Sequence, residues 1–215
     1  MKKILLFFAM AAVLCGCSGN AELKRVATGE PILPIREAGD TTVAYLTDYL
    51  PSVDLSKLDD IRVTDGYTGM EVRDSVLMLY GTTGKVGVMS VGSRDCEVDI
   101  PILPKLPVVQ GLTTVGIEAG RLQLRVDTTL QSLQFRCFVQ NVLMPEEALQ
   151  DNGNGTFDVD LKKLPKQQGR SFLRVFAANG QVLLNDLLIP LQDGSPVLDA
   201  NQLTRHDANA QVLYS

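Results

Sequence analysis

The sequence has no tryptophan and one histidine among its 215 residues, and aromatic residues make up only 6% of the chain. Metal sites usually need clusters of cysteine, histidine and carboxylate side chains, for which this composition offers little material. The formal net charge is −5, so the chain lacks the positive field that holds a nucleic-acid backbone. These features exclude nucleic-acid binding and predict a protein without a metal or another cofactor.

Hydrophobic residues make up 45% of the chain and charged residues 21%, which is enough apolar material for a packed core. A length of 215 residues fits one large domain or two small ones, because a domain usually has about 100–200 residues.

The N-terminus has the pattern of an exported protein. Lys2 and Lys3 precede an apolar run over residues 4–14, which ends in Leu14-Cys15-Gly16-Cys17. The run is shorter than the about 20 apolar residues that cross a bilayer as a helix. We therefore predict a signal peptide over residues 1–16. Its end resembles a bacterial lipoprotein box, which implies a lipid anchor on Cys17; a plain signal peptide with an incidental cysteine is the alternative.

Small and polar residues follow the lipoprotein box, so we predict a flexible leash over residues 17–29. Ser18 directly after Cys17 resembles the signal that sorts lipoproteins to the outer membrane of the cell envelope. The sequence leaves open whether the protein faces the periplasm or the cell surface.

Alternation of apolar and polar residues dominates the remainder and predicts antiparallel strands that bury one face. It is clearest in residues 95–100, 121–127 and 156–161. Further predicted strands are 42–46, 61–64, 76–80, 86–91, 112–117, 133–139, 171–177 and 182–189. The carboxylates in this pattern, such as Glu97 and Asp99, are predicted to face solvent. No stretch keeps a helical period for three turns, and residues 55–60 and 145–150 are predicted to form one or two helical turns each.

Turns and prolines divide the strands. Gly81-Thr82-Thr83-Gly84-Lys85 faintly resembles a phosphate-binding loop but lacks the hydroxyl residue after the lysine, so we predict a hairpin turn there. Pro101, Pro104 and Pro107 cannot all lie in a central strand and predict an extended connector.

The predicted fold class is all-β, with two consecutive small immunoglobulin-like antiparallel β-sandwiches over residues 30–104 and 107–191, and a linker from residue 192. Cys96 and Cys137 alternate with apolar residues and fall in different sandwiches, so both are predicted to be buried free thiols.

Sugar binding is the one ligand function that the composition leaves to consider. A sandwich that holds polysaccharide offers flat aromatic rings beside hydrogen-bonding side chains. The phenylalanines alternate with apolar residues and are predicted to lie in the core. Tyr45 and Tyr49 lie near a turn, so we predict that these two tyrosines are the residues that would contact a glycan.

Four segments near the C-terminus occur in an informative order: residues 169–177, 185–191, 203–207 and Gln211-Val212-Leu213-Tyr214-Ser215. This region resembles the part that precedes the catalytic barrel in lipoprotein enzymes of the alpha-amylase superfamily, of the neopullulanase or cyclomaltodextrinase-like type found in Bacteroides-like bacteria. In these enzymes the Leu-Tyr-Ser segment begins the first barrel strand. The resemblance implies a membrane-anchored glycoside hydrolase that breaks down starch or maltodextrin.

The barrel of such an enzyme needs about 250 residues, and its active site lies on loops at the C-terminal ends of its strands. The catalytic residues that the resemblance implies would therefore follow Ser215. We expect this chain to be the non-catalytic front region, inactive alone, which spaces the barrel from the membrane, packs against it and presents α-glucan. The alternatives are a free-standing immunoglobulin-like structural or adhesion lipoprotein without glucan function, and a glucan-binding lipoprotein in its own right.

Overall fold

The structure is a computed structural model that describes residues 18–64, 66–93, 96–126, 129–164 and 168–198. The predicted signal peptide, the predicted lipidation site at Cys17 and the predicted start of a barrel at residues 211–215 lie outside these residues. The described part of the chain is dominated by short strands, with two α-helices, α1 (Ser18–Thr28) and α2 (Leu46–Tyr49).

Sandwich 1 is built from two facing sheets. Its strands are β1 (Ile35–Arg36), β2 (Thr41–Tyr45), β3 (Asp60–Val63), β4 (Gly69–Arg73), β5 (Val76–Tyr80), β6 (Gly87–Ser93) and β7 (Cys96–Leu103). One sheet has the order β1-β7-β6-β3 and the other the order β2-β5-β4. The core lies between them and includes Leu77 and Leu79 from one sheet and Met89, Val91 and Ile100 from the other.

Sandwich 2 follows the same plan. Its strands are β8 (Val108–Val109), β9 (Leu112–Glu118), β10 (Arg121–Val126), β11 (Gln134–Val139), β12 (Val142–Leu143), β13 (Leu149–Asp151), β14 (Thr156–Asp160), β15 (Arg170–Ala178), β16 (Leu183–Leu184), β17 (Leu187–Gln192) and β18 (Ser195–Pro196). One sheet has the order β13-β14-β10-β9; the other has the order β12-β11-β15-β16-β8, with β17 also paired to β15 and β18 to β17.

The first strand of each sandwich pairs in parallel with one of its last strands. Strand β1 pairs in parallel with β7, and β8 pairs in parallel with β16. The other strand pairs of the described chain are antiparallel. The prediction of an all-β fold with two consecutive immunoglobulin-like sandwiches is therefore confirmed. The short helical turns expected near residues 55–60 and 145–150 occur as 3-10 helices at Leu55–Lys57 and Glu146–Ala148.

The prediction of a flexible leash over residues 17–29 is wrong, because residues 18–28 form helix α1. Leu23 is fully buried and Ala27 is 4% exposed, and both belong to the core of sandwich 1. Leu23, Val26 and Ala27 follow the helical spacing of three and four residues, which puts them on one face. Three apolar residues over three turns are a weak signal, and the sequence interpretation overlooked it.

The proline-rich connector also begins later than predicted, because Pro101 lies inside strand β7, opposite Val88 of β6. The backbone groups of Val88 bond to Thr64 on the other side: Thr64 N donates to Val88 O, and Val88 N donates to Thr64 Oγ1. Pro101 therefore occupies a position where no ladder hydrogen bond to β6 is required, so its missing N–H removes no bond to that strand.

Two further segments differ from the sequence interpretation. Residues 81–85 join β5 of one sheet to β6 of the other sheet, so they form a connection between sheets and not the predicted hairpin turn. Residues 195–196, predicted to belong to a linker, form β18 and extend the sheet of sandwich 2 beside β17.

Candidate functional site

The two sandwiches are joined through a buried apolar cluster. It contains Val86, Val88, Leu103, Phe138, Phe176, Ala178 and Leu183, which come from both sandwiches. Val88 alternates along its strand with the core residue Met89, so its side chain leaves the opposite face of the sheet. The rings of Phe138 and Phe176 meet edge to face, with centroids 6.0 Å apart. Outer sheet faces therefore pack against each other, and the sandwiches form one body.

Asn141, in the turn between β11 and β12 of sandwich 2, bonds to the segment that begins sandwich 1. Its backbone N donates to Ala27 O (3.1 Å), and its Nδ2 donates to Val26 O (2.8 Å) and Glu30 O (3.0 Å). Its Oδ1 accepts from Ile32 N (3.0 Å). Asn141 is 4% exposed, and these bonds satisfy carbonyls at and just after the C-terminal end of α1, where the helix itself supplies few donors.

We call Asn141 together with residues 26–32 the N-terminal clasp. Two further contacts support it from sandwich 2: Gln140 Nε2 donates to Thr28 O (3.0 Å), and Arg174 Nη1 donates to Ile32 O (2.7 Å). Arg174 is itself held by two bonds from its Nε to the carboxylate of Asp186, and its guanidinium lies 4.7 Å from the centre of the Phe176 ring.

Asp99 of β7 is a buried carboxylate in the same interface. It is 4% exposed and accepts hydrogen bonds from Ser90 Oγ (2.5 Å) within sandwich 1 and from Leu143 N (2.6 Å) of sandwich 2. The prediction that Asp99 faces solvent is therefore wrong, because sandwich 2 covers the outer face of this sheet. Burial raises the pKa of Asp99, and the two hydrogen bonds only partly offset that effect.

We expect Asp99 to make stability depend on pH. Its folded-state pKa is raised above the value of about 3.9 in the unfolded chain, so the protonated form favours the folded state. This contribution is complete below the unfolded pKa and is lost as the pH rises through the folded pKa. Asp99→Asn keeps the shape and stays neutral, and its amide can donate to the Ser90 hydroxyl while its oxygen accepts from Leu143 N.

Urea unfolding at several pH values checks this prediction. The Asp99→Asn variant should gain stability relative to the unmodified protein as the pH rises above about 4. The exposed Asp59 provides the control, since Asp59→Asn removes one negative charge from the same sandwich without touching the interface. Parallel stability curves for the Asp99→Asn variant and the unmodified protein would show that the buried carboxylate has no role in the pH dependence.

An open cleft of about 850 Å³ lies between the sandwiches, beside the apolar cluster. Residues from both sandwiches line it: Arg62, Val63, Thr64, Thr83, Lys85, Val86, Gly87, Ser90, Leu133, Gln134, Phe135, Arg136, Glu146, Leu149, Asp151 and Phe157. Strand β11 connects the two ends of the interface, because its first residues line the cleft and the turn after its last residue carries Asn141.

Two aromatic rings form an apolar part of the cleft. Phe135 comes from β11 and Phe157 from β14, so the rings belong to different sheets of sandwich 2. Their centroids are 4.3 Å apart, with the ring planes tilted by 42°. Both residues are half-buried and pack against the core of sandwich 2, which fixes their position at the end of that sandwich.

The charged residues of the cleft are mostly paired. Arg136 Nη1 lies 2.7 Å from Glu146 Oε1. Arg62 bonds to Asp60 (2.6 Å) and to Glu97 (3.0 Å). Lys85 is exposed and makes no ion pair with the residues that the structure describes. The cleft therefore presents charges of both signs.

A buried carboxylate fixes the wall that sandwich 1 contributes to the cleft. Glu37 is 5% exposed and accepts hydrogen bonds from Tyr67 Oη (2.9 Å), Thr83 N (3.2 Å) and Lys105 N (3.4 Å). Burial first, and then the charge of Glu37, raise the pKa of Tyr67, so its hydroxyl stays a donor. Thr83 Oγ1 in turn donates to Lys85 O (2.8 Å), which holds the 81–85 connection in place.

The two tyrosines predicted to contact a glycan lie away from this cleft. Tyr45 is 58% exposed on the outer face of the β2-β5-β4 sheet, beside Val43 and Val76. Tyr49 is half-buried and lines a separate groove of about 390 Å³, which Tyr45 does not line. Burial and the neighbouring charge of Asp48 raise the pKa of Tyr49. The sequence interpretation missed Phe135 and Phe157 as cleft residues, because their alternation with apolar residues predicted only that they lie in the core.

Cys96 and Cys137 are both free, as predicted. Cys137 is buried in sandwich 2, and burial raises the pKa of its thiol to about 12. Cys96 is only half-buried at the start of β7, so the prediction of burial holds fully for Cys137 alone.

The cleft is lined by two carboxylates, Glu146 and Asp151, so their geometry bears on whether it could cleave a glycosidic bond. Such chemistry needs two converging carboxyl groups, one of them kept protonated by an apolar environment. Glu146 and Asp151 both line the cleft, but the Glu146 side chain is 81% exposed and ion-paired to Arg136.

Within the described ranges, no group of three His, Cys, Asp or Glu residues could hold a metal ion. Neither of the two α-helices described is long and apolar enough to cross a membrane.

Comparisons with known proteins give structural likeness only. No protein-family model and no curated protein matches the sequence. Murine CEACAM1b is similar at 11% identity over 73% of this chain and 95% of that one, with a TM-score of 0.24. A titin fragment is similar at 12% identity over 77% of this chain and 64% of that one, with a TM-score of 0.26.

An endo-fucoidan hydrolase of glycoside hydrolase family 107 is similar at 12% identity over 79% of this chain and 30% of that one, with a TM-score of 0.25. Identities and TM-scores this low carry no argument about function. The fold class stated above depends on the strand pairing of this chain.

Proposed function

We propose that this chain is a non-catalytic support region of a cell-envelope lipoprotein, made of two sandwiches held in one fixed arrangement. The observation that carries this proposal is the interface, in which the N-terminal clasp and the apolar cluster around Phe138 act together. A support region must keep its ends at a constant separation, and a buried interface does this where a flexible linker does not.

The position of helix α1 supports the anchored part of the proposal. The helix begins at Ser18, the residue after the proposed lipidation site, and it packs on sandwich 1 through Leu23 and Ala27. Its C-terminal end bonds to Asn141 of sandwich 2. A lipid on Cys17 would therefore tie both sandwiches to the membrane without a long flexible leash.

We further propose that the supported unit is the catalytic barrel of an alpha-amylase-like glycoside hydrolase that acts on starch or maltodextrin. This step depends on the resemblance of residues 169–215 to the region before such a barrel. Under this proposal the partners are the outer membrane, an α-glucan and the barrel. A free-standing structural or adhesion lipoprotein is the alternative, and it would need the same rigid interface but no barrel.

Two measurements test the proposed function. Incubation of the purified chain with amylopectin and pullulan should release no reducing ends above a blank, and any protein-dependent turnover would overturn the non-catalytic assignment.

The second measurement tests the lipid anchor. Expression with a radiolabelled fatty acid should label the outer-membrane fraction, and Cys17→Ser should abolish the label. A Cys15→Ser chain is the matched control and should keep it. Codons after Ser215 that encode a barrel would support the glucan enzyme over the free-standing lipoprotein.

A further inference from the structure

We propose that the cleft between the sandwiches is a pre-formed binding site for a neutral oligosaccharide chain. The site goes beyond the support role, which needs only a rigid interface. The choice of an α-linked glucan as the oligosaccharide rests on the proposed function, whereas the shape and chemistry of the cleft are independent of that function.

The shape of the cleft fits a ligand site. Its volume of about 850 Å³ falls within the range of about 300–1,000 Å³ that is usual for such sites, which often lie between domains. Both walls are fixed without a ligand: Glu37 holds Thr83 on one side, and the core of sandwich 2 holds Phe135 and Phe157 on the other. A site that is already ordered loses little conformational entropy when the ligand binds.

The chemistry of the lining selects a neutral, hydroxyl-rich ligand. Phe135 and Phe157 offer apolar surface to the C–H groups of a sugar ring. The surrounding side chains include donors such as Lys85 and acceptors such as Asp151. A sugar hydroxyl both donates and accepts, so it can satisfy groups of both kinds. Since the arginines are already ion-paired, the cleft has no surplus of one charge that would select an ionic ligand.

The positions of the tyrosines favour the cleft over the site predicted from sequence. Tyr45 lies on an open sheet face, where a sugar chain could be touched from one side only. The cleft offers a ligand side chains from two sandwiches, so it can contact a sugar chain from more than one side.

An NMR titration of the soluble chain, with Cys17→Ser to prevent acylation, tests this proposal. Maltoheptaose is the α-linked probe, and a β-1,3-linked glucan and a xylan oligosaccharide of similar length are the comparison probes. We expect saturable backbone shifts that cluster at Val63, Lys85, Phe135 and Phe157. Shifts centred on Tyr45 or Tyr49, or no saturable shift with any probe, would overturn the proposal.

Variants at the cleft add a second measurement. Lys85→Ala removes an exposed donor without touching the core, and we expect the dissociation constant to rise about fivefold to tenfold. Lys57→Ala, at an exposed lysine outside the cleft, is the matched control and should leave the constant unchanged. Phe135→Leu should raise the dissociation constant more than Lys85→Ala does. The unfolding midpoint of the Phe135→Leu variant is measured to confirm that it is folded. Equal affinities for the Lys85→Ala and Lys57→Ala variants would contradict the role of Lys85.

The outcomes separate the cleft from the proposed function. Binding of a β-linked oligosaccharide alone at the cleft would support the site and count against an α-glucan enzyme. Failure of every probe would remove the site and leave the support role, which the acylation and turnover measurements test independently.

Discussion

Replacing Asn141 with aspartate is expected to destabilise the protein by about 3–5 kcal/mol. The Nδ2 group of Asn141 donates to two carbonyls, Val26 O and Glu30 O, inside an interface where the residue is 4% exposed. A carboxylate oxygen at that position would face both carbonyls without a proton between them. Burial would add the cost of removing a charge from water. Urea unfolding at pH 7 measures the loss.

Asn154 offers a matched control for the same substitution. Its Oδ1 accepts hydrogen bonds from Thr156 N and Thr156 Oγ1 in an exposed hairpin, so a carboxylate can accept the same two bonds. Asn154→Asp should therefore change the free energy of unfolding by no more than about 0.5 kcal/mol. If the Asn141→Asp and Asn154→Asp variants were equally stable, the N-terminal clasp would have no energetic importance.

Replacing Phe138 with alanine is expected to cost about 3–5 kcal/mol and to weaken the joint between the sandwiches. Phe138 is 1% exposed and belongs to the cluster that both sandwiches share, where it meets Phe176 edge to face. The substitution leaves a cavity between the facing sheets of the two sandwiches, because neither sheet can move toward the other without disturbing the core of its own sandwich. Calorimetry should show one unfolding transition for the unmodified protein and two separated transitions for the variant.

The control for this prediction is an aromatic residue outside the interface. Tyr45 is 58% exposed, so Tyr45→Ala should change stability by no more than about 0.5 kcal/mol. Combining Phe138→Ala with Phe176→Ala should give less than the sum of the two single losses, with an interaction energy of about 0.5–1.5 kcal/mol for the ring pair. Full additivity would mean that the rings contribute independently.

The sequence was sufficient to predict most of the strands, because the alternation of apolar and polar residues is a local pattern. Alternation along residues 121–126 and 156–160 is visible within each segment, and the structure pairs these segments as β10 and β14. Proline and glycine likewise separated most of the strands, although Pro101 lies inside β7 at a position that requires no ladder bond to β6. Such a position depends on the partner strand and cannot be derived from the proline itself.

The interface and the cleft could not be predicted in this way because each depends on both sandwiches at once. Asp99 alternates as a solvent-facing residue would, and only the presence of Leu143 from sandwich 2 explains its burial. Phe135 and Phe157 are distant in sequence and meet at the end of a sandwich. Tyr45 and Tyr49 are close in sequence, yet the structure places them on different surfaces.

The closure of the N-terminal clasp has a consequence for the order in which the chain folds. The hydrogen bonds that join Ile32 to Arg174 and to Asn141 span 142 and 109 residues of sequence. A chain that has been synthesised only as far as sandwich 1 has no partners for these groups, so the N-terminal clasp can close only after Asn141 and Arg174 have been made. Contacts of such long sequence separation slow folding. We therefore expect chaperones and proteases to act on this protein while only the first half of the chain has been synthesised.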